Sequence, residues 1–129
     1  MLVVEDNVDI LEVVCELLGQ ENYRVSAAEN GRAALALLQT LELPCLILLD
    51  YFMPHMNGDE LCAEMMKDPQ LSEIPVIMMS AYGKREQNQK TPNVVAYLRK
   101  PVPMVTLLKT LETVAGKHAL TESSGTPND

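Results

Sequence analysis

Glu5, Asp6, Asp50, Ser80 and Lys100 each stand at the end of a short apolar run, and their side chains are of the kinds that handle charged ligands. Three carboxylates brought together repel one another, and the arrangement is costly unless a cation joins them. A donor set of oxygens alone, without His or Cys, favours Mg²⁺ over zinc. Such an ion keeps several waters and takes phosphate oxygens beside protein carboxylates. Lys100 can balance the remaining negative charge, and the Ser80 hydroxyl can hydrogen-bond a phosphoryl oxygen. Phosphoryl transfer needs this equipment, because positioning and charge neutralisation do most of its catalysis. An aspartate nucleophile would form an acyl phosphate. Taken singly, each residue has a plainer reading. Glu5 and Asp6 could be a solvated turn, Asp50 a turn or capping acid, and Lys100 an ordinary surface lysine. Chemistry follows only if the chain gathers them.

The pattern of elements says that it does. Leu2–Val4 reads as a buried strand that starts abruptly at Met1, and Val8 to about Gln20 as a helix capped by Asn7 or Asp9. Residues 24–28 alternate weakly, as a strand would, and Asn30-Gly31 opens a helix from Arg32 to Leu41. Residues 45–49, after Pro44, form a continuous apolar run typical of a strand buried on both faces. A loop over 51–57 leads to a helix from Gly58 to Lys67 with Asn57 as its cap. Strands follow at Pro75–Met79 and Val94–Leu98, then a closing helix from Pro103 to about Ala115. Alternating strands and helices imply an α/β domain, a parallel sheet covered on both faces. In such sheets functional groups collect at the carboxyl ends of the strands, which is where the five residues fall. The segment between Ser80 and Val94 is the exception. It has no apolar residue between Gly83 and Asn93 and carries Pro92, so a packed helix there is not expected.

The 129 residues fit one domain. We expect the folded unit over 1–117 and a polar, disordered tail over 118–129. The formal net charge of −8 argues against direct nucleic-acid binding. Lys84, Arg85 and Lys90 cluster in sequence and read as a solvated loop. No apolar run is long enough to span a membrane, and the acidic MLVVEDN start is unlike a signal peptide; the expected location is cytoplasmic. The three cysteines lack metal-ligand spacing and read as small buried hydrophobes, as the methionines read as core fillers. His55, although near Asp50, does not suit a hard cation site and reads as exposed loop.

The motifs VVEDN at 3–7, LLDYFMPHMNG at 48–58, MMSA at 78–81 and YLRKP at 97–101 are individually weak. In this order, each at a strand end, they resemble the receiver domain of two-component response regulators, over about residues 2–115. The resemblance implies a doubly wound, flavodoxin-like five-stranded sheet in the order 2-1-3-4-5, with the fourth helix atypical or missing here. It implies that Asp50 takes a phosphoryl group from a phosphohistidine on a sensor histidine kinase or histidine phosphotransfer protein. It implies Mg²⁺ held by Asp6, Asp50 and the main-chain carbonyl of Phe52, with Glu5 acting mainly through a water. Lys100 would pair with phosphoryl oxygens, Ser80 would move to bond the new phosphate, and Tyr97 would turn into the vacated space. The Lys100–Pro101 bond would be cis. Such a domain catalyses its own phosphorylation and dephosphorylation rather than turning over an external metabolite.

Two positions bear on signal lifetime. Phe52 and Tyr82, two residues beyond Asp50 and Ser80, border the path of the hydrolytic water in the family; both are bulky and neither is a good base, which points to slow dephosphorylation. The first helix carries more apolar residues than one stripe needs, and the family presents this helix to its kinase, so Ile10 and Val13 are candidate docking residues. A wide core stripe is the alternative. Three rival functions are weaker. A haloacid-dehalogenase-type phosphatase needs a second acid where Phe52 stands. A nucleotide- or flavin-binding domain needs a phosphate cradle where Glu5 and Asp6 would repel phosphate. A pseudo-receiver that binds proteins without phosphorylation would have no use for the complete set of side chains. The cognate kinase and the downstream partner are not legible.

Overall fold

A computed structural model of the chain describes residues 1–40, 44, 46–81 and 92–122, with side chains through Val114 apart from Thr40. The strands are β1 (Leu2–Val4), β2 (Ser26–Ala28), β3 (Ile47–Asp50), β4 (Val76–Ser80) and β5 (Val94–Arg99). The helices are α1 (Val8–Gln20), α2 (Gly31–Thr40), α3 (Gly58–Met66) and α4 (Met104–Glu122), with a 3₁₀ turn at Leu71–Glu73. All strand pairs are parallel, in the order β2-β1-β3-β4-β5, as the resemblance implies.

The alternation of side chains along each strand divides the core in two. Leu2, Val4, Ile47, Leu49, Val76 and Met78 face the side covered by α2 and α3, against Ala34, Leu38, Leu61 and Met65. Val3, Leu48, Ile77 and Met79 face the other side, against Leu11 and Leu18 of α1 and Leu107, Leu111 and Val114 of α4. Both faces of β1, β3 and β4 are thus dry, which is why their sequences are apolar runs rather than alternating patterns. Each fully buried Leu or Ile contributes about 1.5–3 kcal/mol.

Helix starts follow local chemistry. Asn7, not Asp9, caps α1: its Oδ1 accepts the Ile10 N–H at 3.1 Å. Asn30 accepts the Ala33 N–H at 2.7 Å at the head of α2. At α3 a reciprocal capping box joins Asn57 and Glu60, both bonds 2.8 Å. Pro103 stands just outside α4, its carbonyl accepting from the Leu107 N–H at 3.0 Å, the first i→i−4 bond of the helix.

Several boundaries differ from the sequence expectation. β2 begins at Ser26, which pairs with Leu2, rather than at Arg24, whose carbonyl instead accepts from the Met1 ammonium at 2.9 Å. β3 starts at Ile47 and includes Asp50, which is held in register with Met79 of β4. β4 likewise includes Ser80, and β5 extends to Arg99. The closing helix does not stop near Ala115 but continues to Glu122, so residues 118–122, expected in the tail, are helical. Lys117, Ala119 and Leu120 favour helix, and the first strong breakers come with Gly125 and Pro127. The irregular 83–93 segment and the rest of the tail fall largely outside the described residues.

Candidate phosphoryl-acceptor site

Four of the five chemical residues converge through backbone pairing. Just beyond β1, the Glu5 N–H still donates to the Ala28 carbonyl of β2 at 3.1 Å, so the chain stays extended and the Glu5 side chain lies at the sheet edge, only 2% exposed. Asp6 follows and is exposed. Asp50 is the last residue of β3 and is 3% exposed. Past it, the Tyr51 N–H donates to Met79 and the Gly58 N–H returns to the Tyr51 carbonyl, each at 2.8 Å, closing the loop that enters α3. That return needs glycine: a Cβ on Gly58 would lie 2.5 Å from Met78 Sδ and 3.1 Å from Tyr51 Cα. Ser80 ends β4, buried, and its carbonyl accepts the Lys100 N–H at 2.9 Å, which carries the β4–β5 pairing up to Lys100. The Lys100–Pro101 bond is cis.

Lys100 Nζ donates to Glu5 Oε1 at 3.0 Å and to Asp50 Oδ1 at 3.1 Å. One ammonium thus serves two buried carboxylates, leaving an excess negative charge beside Asp6. The electrostatics follow. Burial, then the neighbouring Glu5 charge, push Asp50 up to about 7, with Lys100 only partly offsetting them. Burial alone would lower Lys100, but its bond to Glu5 and the charge of Asp50 outweigh that and raise it. The site is therefore short of positive charge. Glu5, Asp6 and Asp50 each offer an oxygen, and these oxygens lie within 4.8 Å of one another. Two oxygens bound directly to one Mg²⁺ can be at most about 4.2 Å apart, twice the usual bond length. A shared hard cation therefore fits the three acids with a small adjustment or one intervening water.

Of the other sequence-derived candidates, Tyr97 is half-buried on β5 opposite Met78, packed against the α2–α3 side of the core. Phe52 is 46% exposed, its ring edge-on to Tyr51 with centroids 4.8 Å apart. Ile10 and Val13 are both exposed on α1, away from the core face. His55 is exposed, at a φ of 70°. Tyr82 lies outside the described residues. Sequence reasoning missed two features. One is the direct Glu5–Lys100 pair, which is also supported by the Asn7 N–H donating to Glu5 Oε2 at 3.3 Å. The other is the steric need for Gly58, for which the Asn-Gly dipeptide was the only visible signal.

Residues 1–112 match the family model described as the response regulator receiver domain. The chain belongs to that family. Among relatives of this receiver domain, the two-component response regulator ORR12 of Oryza sativa is 35% identical over 113 residues, covering 86% of this chain and 93% of that protein. Among solved structures, the chemotaxis protein CheY4 of Vibrio cholerae superposes with a TM-score of 0.77 at 33% identity, covering 88% of this chain and 95% of that one. The response regulator TrrA of Thermotoga maritima, solved in complex with Mg²⁺–BeF, gives a TM-score of 0.76 at 27% identity, covering 88% of this chain and 96% of that one.

Proposed function

We propose that this receiver domain accepts a phosphoryl group on Asp50 from a phosphohistidine of a sensor histidine kinase or a histidine phosphotransfer protein. The observation that carries the proposal is the meeting of Asp50 with Glu5, Asp6 and Lys100 in one pocket where carboxylates outnumber cations. Asp6 and Asp50, with the Phe52 main-chain carbonyl, are the residues to hold Mg²⁺ directly, and Glu5 would act mainly through a water. When bound, the ion supplies neutralisation of phosphate charge. A carboxylate oxygen of Asp50 forms the new bond to phosphorus as the bond to the donor imidazole breaks, and that nitrogen keeps the electron pair. Lys100, held at the pocket by Glu5, moves its hydrogen bond from Asp50 to the phosphoryl oxygens. Ser80 bonds the phosphate from β4, and Tyr97 follows inward on β5. Those shifts are the signal to partners.

The apolar Phe52, with Tyr82, slows hydrolysis by failing to orient water. Decay of the acyl phosphate should quicken in Phe52→Asn; an unchanged rate would remove Phe52 from this role. Ile10 and Val13 are the docking residues for the donor, and loss of transfer in Val13→Lys is the check. We also take the folded unit to act in the cytoplasm.

The direct test is incubation with Mg²⁺ and acetyl phosphate followed by intact mass. Wild type should gain one phosphate and Asp50→Asn none. A wild type without adduct would favour a binding module that works unphosphorylated.

A further inference from the structure

The loop that follows Asp50 is tied at its ends and bent hard in the middle. The Gly58 N–H, bonded to the Tyr51 carbonyl, closes it. At its tip the Met56 N–H donates to the Pro54 carbonyl at 2.8 Å around His55, whose φ is 70°. A hydrogen bond between residues two apart, about a positive φ, is the rarer and strained kind of γ-turn. His55 lacks the freedom of glycine to ease it.

Two methionines hold this tip down. Met53 is buried in the core beneath α2 and α3, and Met56 packs at the margin of the same core. The Met56 side chain lies along the backbone of Gly31, the first residue of α2. A Cβ on Gly31 would stand 2.7 Å from Met56 Sδ, 3.1 Å from its Cγ and 3.2 Å from its Cβ. That seat takes a thioether and nothing larger. A sulfoxide carries one more oxygen and turns an apolar side chain polar, so it does not fit there.

Oxidants can reach this sulfur-bearing side chain. Met53, Met65, Met78 and Met79 are buried, whereas Met1, Met56, Met66 and Met104 are partly exposed. Of those four, Met56 is the one in the acceptor loop. Cys15 and Cys62 compete poorly, because burial pushes the Cys15 thiol up and the Cys62 thiol up to about 12, and the thiolate is the reactive form.

We propose that Met56 is an oxidative modification site that takes one oxygen from a hydroperoxide, and that its sulfoxide unseats the loop from Gly31. The thioether sulfur attacks the distal peroxide oxygen. The S–O bond forms as the O–O bond breaks, and the leaving oxygen takes a proton and departs as water or alcohol. Sulfur loses two electrons and the peroxide gains them. With Met56 out of its seat, the strain at His55 favours opening of the turn. Phe52 then moves with the loop, and cation binding beside Asp50 weakens; this last consequence rests on the reading of Phe52 and Asp50 given above.

The test treats the metal-free chain with hydrogen peroxide, then dithiothreitol, which reverses sulfenic acids and disulfides but not the sulfoxide. Peptide mapping should find the added oxygen on Met56 while Met53 is spared. Amide exchange at Gly58, read in EDTA, should quicken, and Mg²⁺ affinity should fall about tenfold, as when the support behind a metal ligand is lost. Methionine sulfoxide reductase should restore both. Met56→Leu should show neither change under peroxide, although Met1, Met66 and Met104 still oxidise. Met56→Gln, polar and of similar length, should show both without oxidant; thermal melts verify that the two variants fold. A spared Met56, a Met56 sulfoxide with Gly58 exchange unchanged, an equal response in Met56→Leu, or wild-type behaviour of Met56→Gln would overturn the proposal. Untreated chain that binds no Mg²⁺ defeats the cation reading instead, and quickened Gly58 exchange would still establish the modification site.

Discussion

Removing the Asp50 charge should stabilise the metal-free protein, and the effect should depend on pH. In the folded chain Asp50 titrates near 7, against 3.8 for an unburdened aspartate, because burial and Glu5 disfavour its charged form. A raised folded-state value means that between these two pH values the native state holds a proton the unfolded chain has released. Stability therefore falls as pH rises from about 4 to 7 and levels off above. The interval corresponds to roughly 4 kcal/mol at about 1.4 kcal/mol per pH unit. Asn keeps the shape without the charge, although it weakens the bond with Lys100, so a net gain of roughly 2–4 kcal/mol is expected above pH 7.5. Urea unfolding of wild type and Asp50→Asn in EDTA at pH 4.5 and 8 reads this directly through the midpoint at constant slope. The variant should be clearly more stable at pH 8, with most of the difference gone at pH 4.5. An Asp50→Asn protein no more stable than wild type at pH 8 would refute the picture of a strained acidic pocket.

Other consequences are as direct. Burial and Glu5 push Asp50 up to about 7 in the metal-free chain, so Mg²⁺ binding near neutral pH should release a fraction of a proton, seen as a calorimetric heat that varies with buffer ionisation enthalpy; a buffer-independent heat would contradict it. Mg²⁺ at about 100 times its Kd should add about 2.7 kcal/mol of stability to wild type and much less to Asp50→Asn. Lys100→Met strands Glu5 and Asp50 without their shared cation, and should cost about 1–3 kcal/mol in EDTA, discounted because Lys100 is partly solvated. Gly58→Ala presses a Cβ against the Met78 side chain and the Tyr51 backbone and should cost about 1–3 kcal/mol of stability, measured by thermal melt.

The parallel sheet was legible because the central strands are unbroken apolar runs, and its order followed from the family resemblance carried by the motifs around Glu5-Asp6, Asp50, Ser80 and Lys100. Strand ends were less legible, since they depend on partners. Arg24 and Val25 look as strand-like as Ser26, yet only Ser26 finds a residue of β1 opposite. The closing helix outran its expected end because Lys117 and Ala119 keep helix propensity high beyond Ala115. Within the site, residue types conveyed the acids and the ammonium but not who bonds whom. Lys100 reaches Glu5 across 95 positions of sequence, a contact that exists only once β1 and β5 share an edge. The steric role of Gly58 was equally hidden, because it is set by Met78 on a neighbouring strand.

Substituting Mn²⁺ for Mg²⁺ and recording amide resonances of the isotopically labelled chain would map the cation most directly. Paramagnetic broadening should centre on residues 5–7 and 50–52, reach Ser80 and Lys100, spare the opposite edge of the sheet, and vanish with excess Mg²⁺. Broadening centred elsewhere, or spread over the acids of α1 and α3, would show that these carboxylates do not form one cation pocket.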